Sequence, residues 1–113
     1  MMDHAWRTVT LKSKNREKTR LILETGQPQY QLICDFLNLE MPSFGEEICG
    51  SLEEMRHTGR QARFSGNRYS LAASPERALV TIDAEDELLW CEIGTEDLRG
   101  LIAEWKEKSR GIQ

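Results

Sequence analysis

Histidine and cysteine are scarce, at two and three in 113 residues, and none of the five has ligand spacing. His4, His57, Cys34, Cys49 and Cys91 form no C-x-x-C, no H-x-x-x-H and no H-E-x-x-H, which argues against a zinc site. An odd cysteine count without framework spacing argues against a disulfide scaffold and fits a reducing compartment, the cytoplasm. No apolar stretch nears the roughly 20 residues of a membrane helix. No apolar run follows a basic start, so no signal peptide is expected either. No glycine-rich loop opens a helix, which removes the usual phosphate cradle. There is no G-x-S-x-G. Cys49 and His57 would share one helix but sit about 12 Å apart along its axis, at ~1.5 Å rise per residue, too far for nucleophile and base to touch. Nothing in the pattern pairs Cys91 with His57. Taken together, these gaps lead us to expect a protein that is not an enzyme and carries no cofactor.

The chain has the length of one domain and can bury a core without staples. Hydrophobic residues make up 39% and charged residues 30%, the balance of a soluble globular protein. The net charge of −4 argues against a general nucleic-acid binder and against an anionic membrane surface. The average hides an asymmetry. Arg7, Lys12, Lys14, Arg16, Lys18 and Arg20 outweigh Asp3 and Glu17, so the first 20 residues carry +4 and the remainder −8.

Local patterns predict an α+β fold: an antiparallel β-meander with a middle helix and a C-terminal amphipathic helix packed on the sheet. Trp6-Arg7-Thr8-Val9-Thr10-Leu11 alternates as a strand. Its partner runs through Leu21-Ile22-Leu23, with a polar turn over residues 12–18. Segment 30–41 carries two periods at once. Tyr30, Ile33, Cys34 and Leu37 have helical spacing, whereas Leu32, Cys34 and Phe36 alternate. We expect a third strand there, because Gly26-Gln27-Pro28-Gln29 offers a turn before it. Ser43 with Glu46 is a capping box. Phe44, Ile48, Leu52 and Met55 then form an apolar stripe, and Gly59 ends that helix.

Gly66-Asn67 reads as a two-residue hairpin loop, with glycine supplying a positive φ. The register that follows sets Phe64 opposite Tyr69 and Ala62 opposite Leu71. Ser74-Pro75-Glu76-Arg77 is a turn, Ala78-Leu79-Val80-Thr81-Ile82 a strand, and Leu88-Leu89-Trp90-Cys91-Glu92-Ile93 another. Thr95 reads as the N-cap of the last helix, with Glu96 and Asp97 at its positive end. Leu98, Leu101, Ile102 and Trp105 make one stripe. Burying each returns roughly 1.5–3 kcal/mol, and fixing each backbone residue costs about 1–2 kcal/mol. Such a helix needs a sheet beneath it.

Carboxylates are the most usable surface feature. Glu85, Asp86 and Glu87 cluster at the last β-turn, with Glu92, Glu96 and Asp97 after it. Glu46, Glu47, Glu53 and Glu54 lie on the polar face of the middle helix. Opposed fields steer encounter with a basic protein. Trp6 and Trp90 are anchors if they reach an outer face. Trp90 lies on the opposite strand face from Leu89, Cys91 and Ile93, and we expect it to pack beneath another element.

The run Phe64-Ser65-Gly66-Asn67-Arg68-Tyr69-Ser70-Leu71, followed by Cys91-Glu92-Ile93-Gly94-Thr95-Glu96-Asp97-Leu98 and Leu101-Ile102-Ala103-Glu104-Trp105, resembles small bacterial cytosolic proteins. Some of these act as immunity proteins in toxin–immunity pairs. The shared motifs are a turn, a cap and a stripe, and they cover roughly the C-terminal half and the helix before it. The resemblance implies a protein-binding role and transfers no functional residue. The first expectation is therefore a cytoplasmic interaction protein that neutralises a basic partner, such as a toxin domain, through Glu46, Glu47, Glu53, Glu54, Glu85, Asp86, Glu87 and Trp90. The alternatives are a nucleic-acid accessory protein using the basic N-terminal hairpin, and a small-molecule binder with an unrecognised site.

Overall fold

The computed structural model describes residues 2–84 and 87–111. Two antiparallel strands, β1 (Ala5–Ser13) and β2 (Arg16–Glu24), form a hairpin. A 3₁₀ turn (Pro28–Tyr30) leads into a long helix, α1 (Gln31–Thr58). Four strands follow in meander order: β3 (Ala62–Ser65), β4 (Tyr69–Ala73), β5 (Arg77–Ala84) and β6 (Glu87–Gly94). The chain closes with α2 (Thr95–Arg110). The expected α+β architecture is present, with both helices on one face of the four-stranded sheet.

Segment 30–41 is helix, not strand. The buried side chains Ile33, Cys34, Phe36, Leu37, Glu40 and Met41 come from both of the alternating faces that a strand would have kept apart. Helical spacing gathers them onto one side. Pro28 opens the 3₁₀ turn, where its missing N–H costs nothing. The helix does not begin at Ser43 either. It runs through Pro42 and bends at Phe44, whose φ of −124° and ψ of 18° leave the helical region. No bond between Ser43 and Glu46 occurs among the described residues. A proline inside a helix removes one backbone hydrogen bond, and a kink is the usual relief. At the far end Gly59 ends the helix as expected, adopting the left-handed φ of 72° and donating to the Met55 carbonyl at 2.7 Å.

The β3–β4 hairpin keeps the expected face pattern but slips by two residues. Ala62 lies opposite Ala73, and Phe64 opposite Leu71. Gly66 N–H donates to Tyr69 O at 2.9 Å, leaving Asn67 and Arg68 at the tip. An even slip preserves which side each residue faces. Gly66 does not have a positive φ. Its role is space: a Cβ there would overlap the carboxylate of Glu40, which is fully buried beneath the turn. Glu40 Oε1 accepts a hydrogen bond from the Asn67 N–H at 3.2 Å, whereas Oε2 has no partner among the described residues.

Between α1 and the inner sheet face lies an aromatic cluster. Phe36 meets Phe64 and Tyr69 edge-on at 6.4 and 6.3 Å, the geometry that ring quadrupoles favour. Leu71, Ala73, Ala78, Val80, Ile82, Cys91 and Ile93 complete that face. In α2, Leu98, Leu101 and Ile102 are buried as the stripe predicts, and Trp105 is half-buried. Thr95 is not the N-cap; Gly94 holds that position. Thr95 is buried inside the first turn, and its hydroxyl donates to the Ser74 carbonyl at 2.7 Å. That bond fastens α2 to the β4–β5 turn.

The N-terminal hairpin is longer than its alternation suggests, with only Lys14 and Asn15 outside the strands. Its base is held by Asn38 of α1. The Asn38 side chain accepts from Leu23 N–H at 2.8 Å and donates to Leu23 O at 3.0 Å, in the manner of a neighbouring strand. Residues 10–20 are exposed throughout. The radius of gyration is 14.5 Å, against about 13 Å for a compact chain of this length. The hairpin is an arm that stands off the body.

Candidate docking surface

Side chains alternate along a strand, so burying Cys91 and Ile93 against the helices turns Trp90 and Glu92 outward. Among the described residues no element lies over the outer face of the four-stranded sheet. Trp90 and Leu88 are each 63% exposed there. Trp90 lies opposite Thr81, and Glu92 opposite Leu79. Trp90 therefore does not pack beneath another element, contrary to expectation. Its alternation was readable, but the absence of a cover is a tertiary fact. Arg77 and Glu92 form an ion pair at 3.5 Å on this face, bordering the apolar centre. Glu87 opens β6 opposite Ala84. Glu85 and Asp86 lie outside the described residues.

The remaining predicted carboxylates belong to the other layer. Glu46, Glu47, Glu53 and Glu54 are exposed on α1, across the sheet from Trp90. Glu53 is already engaged, 3.8 Å from His57 and 3.6 Å from Arg99. Glu46 and Glu47 border a groove of about 620 Å³ between α1 and α2, with Cys49, Trp105 and Lys106. Both carboxylates are open to solvent, so the groove lacks the enclosing walls that acid–base pairs need.

Trp6 is not a free anchor. Its indole N–H donates to Glu104 Oε1 at 2.9 Å, and His4 Nε2 lies 3.0 Å from the same oxygen. The hydrogen bond with His4 does most to hold the Glu104 carboxyl below its ordinary range. Burial opposes this, and the Trp6 N–H adds to it.

Two of the three thiols, Cys34 and Cys91, are buried, and Cys49 is half-buried. Burial is the main cause that pushes Cys34 up to about 12, and it raises Cys91 as well. The Cys91 thiol donates to the Gln29 carbonyl at 3.0 Å. His57 is exposed at the end of α1 and pairs with Glu53. Among the described residues no three His, Cys, Asp or Glu side chains cluster as metal ligands. Nor is any helix there long and apolar enough to cross a membrane.

No protein-family model, curated protein or solved structure matches this chain.

Reading the sequence missed one feature of this surface and one of the helical layer behind it. Leu88 and Leu89 are both exposed, on opposite faces of β6. Three consecutive large apolar residues in one strand were the available signal. Arg99, which bridges Glu53 and Glu96, left no signal beyond its place on the polar side of α2.

Proposed function

We propose that this protein is a non-enzymatic interaction protein that docks another protein on the outer face of its β3–β6 sheet. The observation that carries the reading is Trp90, 63% exposed beside Leu88 on an uncovered sheet face. Tryptophan is the side chain most enriched at binding hot spots, and burying one there contributes about 2 kcal/mol or more. In the sequence, Glu85 and Asp86 directly precede β6 and Glu87 begins it, a run of three carboxylates within five residues of Trp90. A basic partner is favoured, and neutralisation of a toxin domain in the cytoplasm is the role that suits it. Glu46, Glu47, Glu53 and Glu54 would engage only a partner that wraps around to the helical layer.

The test is affinity capture from the native host, then titration of the purified partner. A basic protein should bind wild type about thirtyfold more tightly than Trp90→Ala, the ratio for ~2 kcal/mol. Binding should also weaken with salt. A partner held equally well by Trp90→Ala would sink the reading.

A second reading has an observation of its own. On one face of the arm, Arg16, Lys18 and Arg20 follow one another, all exposed. A two-stranded ribbon fits the major groove of DNA. Fluorescence anisotropy with a labelled duplex at low salt decides it. Binding should fall steeply with salt and be lost in the Arg16→Ala/Lys18→Ala/Arg20→Ala triple variant. A flat titration at low salt disposes of this alternative.

A further inference from the structure

Among the described residues strand β6 is an edge strand, and the alternation of its hydrogen bonds fixes which groups face the open side. Ser74 N–H donates to Arg77 O at 2.8 Å, so these two form a hydrogen-bonded pair. Alternate residues of β5 from Arg77 onward thus direct their backbone groups toward β4, and Ala78, Val80 and Ile82 direct theirs toward β6. The partners of these three are Ile93, Cys91 and Leu89. Leu88, Trp90 and Glu92 consequently present N–H and C=O to the open edge. Thr95 N–H, which donates to Glu76 O at 3.1 Å, continues the same alternation.

Natural sheets guard such an edge with lysine, proline, a bulge or a short strand. β6 has none of these. It runs eight residues without lysine or proline, and its register with β5 is unbroken. Around Leu88, Leu89 and Trp90 the edge is apolar on both faces, with Glu92 beyond them on the outer one. Leu88 and Trp90 are exposed on the outer face, and Leu89 is 41% exposed on the inner one. The opposite edge, β3, has only four residues and includes Arg63.

We propose that β6 pairs antiparallel with β6 of a second copy of this chain, about a two-fold axis at Trp90. The two four-stranded sheets then join into one of eight strands. The inference rests on the reading of Trp90 as part of a docking surface and names one occupant of its edge. A second copy fits because the edge complements itself, as an isologous contact requires. With Trp90 on the axis, Trp90 faces its own copy, Leu88 faces Glu92, and Leu89 faces Cys91. The residues with free backbone groups then face one another, and each side chain keeps its own face. Glu92 meets no carboxylate in this register, and Arg77 of its own chain already partners it. A register with Glu92 on the axis would oppose two carboxylates directly. The outer face of the joined sheet stays open, with two Trp90 rings at its middle.

Sedimentation equilibrium of the full chain over a concentration series tests the pairing. The mass should rise from 13.0 kDa toward twice that value. Trp90→Lys sets like charges opposite each other on the axis and should weaken the dimer at least about tenfold, with unchanged circular dichroism. Leu88→Glu opposes Glu92 twice and should do the same. Adding Glu92→Lys to it should restore association, and Leu88→Lys alone should strengthen it. Monomer at every concentration overturns the proposal. A dimer indifferent to Trp90→Lys, or Leu88→Glu without effect or without rescue, overturns it too. A monomer that still captures its partner through Trp90 overturns the dimer and leaves the docking reading standing.

Discussion

At Gly66 an added Cβ would fall on the carboxylate of Glu40. The carboxylate is fully buried, and the turn passes over it where only glycine leaves room. Gly66→Ala should cost about 1–3 kcal/mol, the range for overpacking a filled interior. Chemical denaturation measures this. The penalty should shrink in a Glu40→Ala background, because the two residues share one space. Buried thiols give a second prediction. At pH 8, iodoacetamide should label half-buried Cys49 well before Cys34 or Cys91, read by peptide mass spectrometry. The raised Cys34 value means the folded chain holds that proton more tightly than the unfolded chain. Its contribution to stability is complete below the ordinary thiol value of 9.0 and fades as pH rises to about 12. Glu104 has the opposite sign. Its depressed carboxyl contributes stability above the ordinary carboxylate range and loses it as pH falls through its folded value. Glu104→Gln should therefore be less stable than wild type at pH 7, with the gap closing in acid.

Among the elements, α2 depends most plainly on what lies under it. Leu98 is fully buried, and Leu98→Ala should cost about 2–5 kcal/mol in thermal or urea unfolding. This helix was legible because its stripe has a single period and its ends carry charge of the proper sign. The meander was legible because short turn-rich connections force antiparallel neighbours. Segment 30–41 was not, since its apolar residues satisfy both periods and only packing against the sheet chooses between them. The hairpin register failed for a related reason. Gly66 looks like a turn former, but its cause is Glu40, a residue distant in sequence. At the candidate surface, the outward direction of Trp90 could be read from alternation, but whether anything lay over it could not. The arm also has its own stability. A two-stranded ribbon without a covered face is marginal. Amides of residues 10–19 should exchange with deuterium much faster than those of β4 and β5.

Across the whole molecule, one core ties the helices to the sheet. Urea transitions followed by tryptophan fluorescence and by far-ultraviolet circular dichroism should coincide, as for a single cooperative unit. A biphasic curve in either signal would show that the sheet and helices melt apart. The outer part of the arm, residues 10–20, stands outside this core, whereas Leu23 at its base is buried in it. The arm and the meander share no strand pairing among the described residues, and the Asn38 amide grips the arm at its root. Beyond Asn38 and the hydrogen bond from Trp6 to Glu104, residues 10–20 are all exposed, so among the described residues no buried side chain fixes how far the ribbon extends. Its reach is thus free to change by pairs of residues inserted or removed at the tip, with the body that carries it left as it is.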